Sequence, residues 1–222
     1  MNARSHRLAL HGLPTHPGLW ARVPLELDAP ELHGTLSEQV AAVVPRIRPE
    51  TTLIGHDMGG VVAAEAALLA ADRGVVARRV VLCGTALGPY WAAVRASAWP
   101  FVWRYFYARH GGRHFVAGAV APERREEALR LFPGADPTGM RNIARSMRPR
   151  PGLAQELAAR VPVGLIWGRQ DRWYPAPVAY ALARAVGSRI LWVDGGHFVM
   201  WESPEAWAAA LCRAVDEPGV QG

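Results

Sequence analysis

Apolar residues gather along this chain into six short runs, separated by stretches whose apolar positions mostly recur at helical spacing. The runs are Arg7–Gly12, Val23–Asp28, Thr51–His56, Arg79–Gly84, Val161–Gly168 and Arg189–Asp194. Short and mostly apolar, they read as strands buried on both faces. Pro24 assigns the second run to a sheet edge, because proline cannot donate to a ladder. Ser37 to Ile47 carries a helical repeat with Ser37 as its N-cap, and Gly60–Ala71 is an Ala-rich helix. Ser203-Pro204-Glu205 opens the last helix with a cap, a proline at the first position and an acid in the first turn. Strands alternating with helices predict an α/β fold with a doubly wound, mostly parallel sheet. Its reactive groups belong at the carboxyl ends of the strands.

The rhythm breaks between Ala86 and about Arg160. This stretch is helical by pattern, aromatic early (Trp91, Trp99, Phe101, Trp103, Tyr105, Phe106, Tyr107) and basic throughout. It reads as a helical cap, residues 86–160, inserted into a core made of residues 1–85 and 161–222. Lysine is absent, so all 25 cationic side chains are Arg, and the formal net charge is +6. Residues 86–150 hold eleven Arg against four acids, while the rest of the chain is close to neutral. One reading is a solvated helical surface; the sharper one is a pocket mouth that attracts an anionic small-molecule substrate. No nucleic-acid-binding motif accompanies the charge.

With 50% hydrophobic residues and nine Trp in 222 residues, the chain can bury a full core. No apolar run approaches the ~20 residues that span a bilayer, so no membrane partner is expected. The N-terminal residues lead directly into the first strand with no signal-peptide pattern. Cys83 and Cys212 read as free thiols, which suits a cytoplasmic location. No Cys/His cluster has metal-ligand spacing, and nothing implies a cofactor.

The chemistry centres on Leu53-Ile54-Gly55-His56-Asp57-Met58-Gly59-Gly60-Val61-Val62. An apolar strand, a glycine-flanked apex and an Ala-rich helix form the setting of a nucleophile elbow, with a carboxylate where serine is usual. Gly168-Arg169-Gln170-Asp171 follows a strand and sets Asp171 at its carboxyl end. Gly195-Gly196-His197-Phe198 follows the last strand and sets His197 at the same edge. His11-Gly12-Leu13-Pro14 follows the first strand, where the Leu13 amide could face a developing oxyanion.

The order nucleophile, acid, histidine is that of an α/β-hydrolase, and the chain resembles that superfamily over residues 7–85 and 161–215. Gly-His-Asp-Met-Gly-Gly resembles the elbow of its Asp-nucleophile branch, the epoxide hydrolases and haloalkane dehalogenases. By that resemblance Asp57 maps to the nucleophile, Asp171 to the acid and His197 to the base, with the Leu13 and Met58 amides as the oxyanion hole. The chain begins at what would be the family's third strand, without the opening hairpin. Dehalogenases commonly hold the halide with a Trp after the nucleophile and an Asn in the first loop. Met58 and Leu13 stand there instead, which disfavours dehalogenation. His11-Gly12-Leu13-Pro14 matches the epoxide hydrolase pattern, whose cap tyrosines polarise the epoxide oxygen. Tyr90, Tyr105 and Tyr107 are the candidates for that role. His11, His16 and His56 are further substrate-side candidates, His11 and His56 more as hydrogen-bonded supports and His16 either at the mouth or facing solvent.

An aspartate has an unperturbed pKa of ~3.9 and is ionised at neutral pH without a base to activate it. Attack by Asp57 on an electrophilic carbon, then hydrolysis of the ester by His197-activated water, is therefore the leading expectation. The same groups could instead drive an elimination, as in α/β-hydrolase-like lyases of polyketide and tetronate metabolism. A third reading is a ligand-binding module without catalysis. Retention of all three groups in order argues against that.

Overall fold

The computed structural model describes residues 6–12, 15–88, 113–132, 142, 145–146 and 150–216. Five strands form one sheet: β1 (Arg7–Leu10), β2 (Thr52–His56), β3 (Arg79–Cys83), β4 (Val163–Gly168) and β5 (Ile190–Val193). They lie side by side in the order β1-β2-β3-β4-β5, every pair parallel. The register pairs Leu10 with Gly55, His56 with Cys83, and Gly168 with Val193, so the candidate site residues leave the sheet along one edge.

Helices of the described residues are α1 (Leu36–Val43), α2 (Met58–Asp72), α3 (Arg113–Ala119), α4 (Arg125–Leu131), α5 (Leu153–Arg160), α6 (Ala176–Val186), α7 (Val199–Glu202) and α8 (Pro204–Asp216). A strand order that never reverses, joined by right-handed crossovers, sends successive connecting helices to the same face. Helices α1, α2, α5 and α6 do share one face, packed on Leu8, Leu10, Leu53, Val80, Leu82, Leu165 and Trp167. Side chains at alternate positions, Ala9, Ile54, Val81, Cys83 and Ile166, point the other way. That second face is covered by α8 through Trp207 and Leu211, by Leu19 and Trp20, and by Val116, Ala119, Ala128 and Phe132 of the stretch between β3 and β4. Burial on both sides explains why the strands lack polar alternation.

Two expectations need correction. Residues 23–28 do not form a sixth strand: Asp28 makes a single parallel bridge with Leu8. The main-chain bonds there are Asp28 N–H to Arg7 O and Ala9 N–H to Asp28 O, both 2.8 Å. Pro24 supplies no donor, and Leu25 turns back to bond Val23, so the segment meets the edge at one point. The cap of α1 is Thr35 and not Ser37. Thr35 and Glu38 form a reciprocal capping box, which satisfies two helix-end donors where a lone Ser37 would satisfy one. Among the described residues, no helix is long and apolar enough to cross a membrane.

Trp207 is 0% exposed and packs on Trp20 at 5.4 Å between ring centroids. We expect Trp207→Ala to cost about 3–5 kcal/mol, measured by chemical denaturation, because the cavity it leaves lies beneath the sheet.

Candidate active site

Asp57 sits between β2 and α2 with φ 50° and ψ −120°, the one non-glycine with positive φ among the described residues. The conformation is held from three sides. Asp57 N–H donates to Cys83 O (3.1 Å), Gly60 N–H donates to Asp57 O (3.0 Å), and the Thr85 hydroxyl donates to that same carbonyl at 2.6 Å. The residue as a whole is left 8% exposed at the sheet edge. Its Oδ2 packs over Gly12, where an added Cβ would lie 2.5 Å from that oxygen and 2.4 Å from Asp57 Cβ. Gly12, two residues past the end of β1, is thus the floor on which the carboxylate rests.

His197 Nδ1 lies 2.9 Å from Asp171 Oδ2, in a pair whose side chains are almost wholly buried. A carboxylate accepts only, so Nδ1 carries the proton and Nε2 remains the basic nitrogen. Burial is the largest single influence on the imidazole and works against its charge. The charge and hydrogen bond of Asp171, with smaller contributions from Asp57 and Glu202, outweigh it and leave the His197 pKa raised. The histidine loop is anchored through its backbone. His197 N–H donates to Ala119 O at the end of α3 (2.6 Å), and Glu202 accepts from Gly196 N–H (2.8 Å) and Ala121 N–H (3.0 Å).

Asp171 has a second duty. Its Oδ1 accepts the backbone N–H groups of Trp173 and Tyr174, both at 2.9 Å, and folds the chain back after β4. Trp167 Nε1–H donates to Tyr174 O at 2.7 Å and fixes the same turn. The Tyr174 hydroxyl then donates to Asp57 Oδ1 at 2.9 Å, and its ring lies 5.5 Å from that of His197. Burial first, then the charge and hydrogen bond of Asp57, push the phenol well above its ordinary pKa, so it stays a donor. Reading the sequence did not single out Tyr174. The signal available was its position three residues after an aspartate able to form an Asx turn, just before Pro175.

The remaining candidates are distributed as follows. His56 is fully buried, donates from Nε2 to His197 O (3.0 Å), and lies tilted with its ring centroid 4.4 Å from that of His197. Burial, then the neighbouring His197, hold its pKa well below the ordinary value, so it supports the site as a neutral ring. His11 donates from Nδ1 to Gly12 O (3.1 Å) and accepts Leu32 N–H at Nε2 (3.3 Å); burial lowers its pKa. Both ring nitrogens are thereby committed to the backbone beneath the site. His16 caps a short 3-10 turn through Gly18 N–H and donates to Leu131 O, tying the first loop to α4. Met58 is buried at the first position of α2. Leu13, Tyr90, Tyr105 and Tyr107 lie outside the described residues, as do several arginines of the basic segment. Within that segment, Arg150 is paired with Glu65 and Glu156, and Arg124 with Glu127.

Two outcomes follow from this geometry. Gly12→Ala drives a methyl group into the Asp57 carboxylate, and turnover should fall by about 100-fold, because sub-ångström placement of a reacting group is lost. The His197–Asp171 pair stabilises the fold fully below the unfolded imidazole's pKa of ~6.5, and that contribution fades as pH rises through the raised folded value. In an NMR titration His197 should therefore protonate above ~6.5, and Asp171→Asn should move its midpoint down.

Comparison with known proteins agrees with the fold. A model of the alpha/beta hydrolase family matches residues 6–210. Among solved structures, an esterase from Thermogutta terrifontis superposes with a TM-score of 0.74 at 21% identity, covering 95% of this chain and 90% of the esterase. An enol-lactonase from Burkholderia xenovorans gives 0.69 at 19% identity, covering 96% and 92%. The haloalkane dehalogenase DbeA from Bradyrhizobium elkani gives 0.69 at 19% identity, covering 97% and 91%. No curated protein sequence matches at a significant level. The sheet, the elbow turn and the family match together make this chain a member of the alpha/beta hydrolase family.

Proposed function

We propose that the protein is a hydrolase whose nucleophile is Asp57, opening an epoxide-type electrophile through an alkyl ester of that carboxylate. The observation that carries this reading is a carboxylate, held on a strained turn and hydrogen-bonded to Tyr174, whose ring lies 5.5 Å from a histidine that donates its Nδ1–H to Asp171. A carboxylate needs no deprotonation before attacking carbon, so His197 is reserved for the second half of the cycle. There Nε2 takes a proton from water, which attacks Cγ of the ester. Asp171 holds the tautomer and stabilises the cationic ring. The main-chain amides of Met58 and Leu13 are assigned to the oxyanion that forms at this stage. His56 and Glu202 support the loop that carries the base.

The substrate in this reading is a small molecule, no cofactor takes part, and the free thiols Cys83 and Cys212 suit a reducing cytoplasm. Burial pushes the Cys83 thiol up to about 12, so it does not compete as a nucleophile.

Mass spectrometry of a His197→Gln variant incubated with styrene oxide tests the reading. The first half-reaction should run and the second stall, leaving an adduct on the peptide that contains Asp57; Asp57→Asn should form none. Turnover persisting in Asp57→Asn, with no adduct in His197→Gln, would count against covalent catalysis. A product that lacks the added elements of water after many turnovers would redirect the assignment to elimination.

A further inference from the structure

The hydrogen bond from Tyr174 to Asp57 has no part in the cycle just described, yet it touches the proposed nucleophile itself. The sheet and the acid loop aim it with care. One carboxylate, Asp171, orients His197 through Oδ2 and the Tyr174 backbone through Oδ1, and the Trp167 indole locks the Tyr174 carbonyl. Oδ2 of Asp57 rests on Gly12, so Oδ1 is the oxygen that faces the phenol. An electrophile that reaches Oδ1 arrives beside an O–H donor.

We infer that Tyr174 is the catalytic acid of the ring-opening step, and that Asp57 returns its proton at the end of each cycle. The inference rests on the covalent reading above and extends it to the class of leaving group. As Asp57 Oδ1 bonds to carbon, the carbon–oxygen bond of the ring breaks and its electron pair stays on oxygen. That oxygen takes the phenolic proton, leaving a hydroxyl on the substrate and a phenolate at position 174. In the second half, water attacks Cγ and gives one proton to His197 Nε2. Collapse of the tetrahedral species expels the second substrate oxygen, which takes the proton from His197. The water oxygen remains on Asp57 in place of Oδ1, carrying the other water proton, and faces the phenolate. Transfer across the contact, 2.9 Å in the resting site, restores carboxylate and phenol together. The sum is epoxide plus water to diol.

Charge favours this order of events. The negative charge of Asp57 is one reason the phenol holds its proton at rest. Esterification removes that charge, so phenolate becomes more accessible in the step that must form it. A halide leaving group needs no such donor, whereas an alkoxide is too basic to leave unprotonated.

The test compares two alkylating probes in the His197→Gln background, where the ester accumulates. With styrene oxide, Tyr174→Phe should slow adduct formation at Asp57 by about 100-fold. With benzyl bromide, whose leaving group needs no proton, the rate should be unchanged or faster, since Oδ1 no longer shares its lone pair with a phenol. Equal slowing with both probes, or none with styrene oxide, would overturn the inference and leave Tyr174 a packing residue. A His197→Gln parent that reacts with neither probe would instead remove the covalent reading, and this inference with it. If Tyr174→Phe fails to fold, a fluorinated tyrosine at position 174 keeps the ring and the hydroxyl. Its more acidic phenol should move the alkaline fall of the styrene oxide rate to lower pH and leave benzyl bromide untouched. An unmoved profile would overturn the inference equally.

Discussion

The site depends on one backbone constraint, the positive φ of Asp57 at the end of β2. Non-glycine residues in sparsely populated conformations cost about 1–3 kcal/mol and persist only where the surroundings over-determine them. Here the surroundings are the neighbouring strand β3, the first turn of α2 and the Thr85 hydroxyl, each hydrogen-bonded to the Asp57 main chain. The turn also requires closeness. A Cβ at Gly55 would lie 2.5 Å from the Gly60 Cα, so helix and strand meet where only glycine fits. Packing energy spread over the sheet thereby maintains a local strain that lifts one carboxylate to the sheet edge.

A second carboxylate does a comparable service from β4. Asp171 is 6% exposed, and its two oxygens are divided between the His197 ring and the backbone that delivers Tyr174. A single substitution at Asp171 therefore disturbs the base and the phenol together. The histidine loop has support of its own: α3 through Ala119, Glu202 through Gly196 and Ala121, and His56 through the His197 carbonyl. Base, nucleophile and phenol come from three different strand ends, which the all-parallel sheet brings to one edge.

Much of this was legible in the chain. Strands buried on both faces leave continuous apolar runs, and an elbow leaves glycines around its apex, so β1–β5, Asp57, Asp171 and His197 could be located by local pattern. The misreadings were of another kind. Residues 23–28 have a strand's composition, but whether they join the sheet depends on a partner edge and on donors that Pro24 lacks. Ser37 and Thr35 are both good caps, and the choice fell to Glu38, whose carboxylate reaches Thr35. Tyr174 left no periodic signal at all. Its place follows from a turn built by Asp171 and from Trp167, 7 residues away, donating to its carbonyl, which are tertiary facts. His11 and His56 read from the sequence as hydrogen-bonded supports and do bond main chain, whereas the bonds His16 makes to Gly18 N–H and Leu131 O are ones that its position did not signal.

Where the oxygen of water goes tests the account most directly. A single turnover with enzyme in excess, run in water enriched in heavy oxygen, should deposit the label in the peptide containing Asp57 and leave the first product unlabelled. Label in the first product with none in the enzyme would mean that water attacks substrate without an ester, and Asp57 would then be no nucleophile.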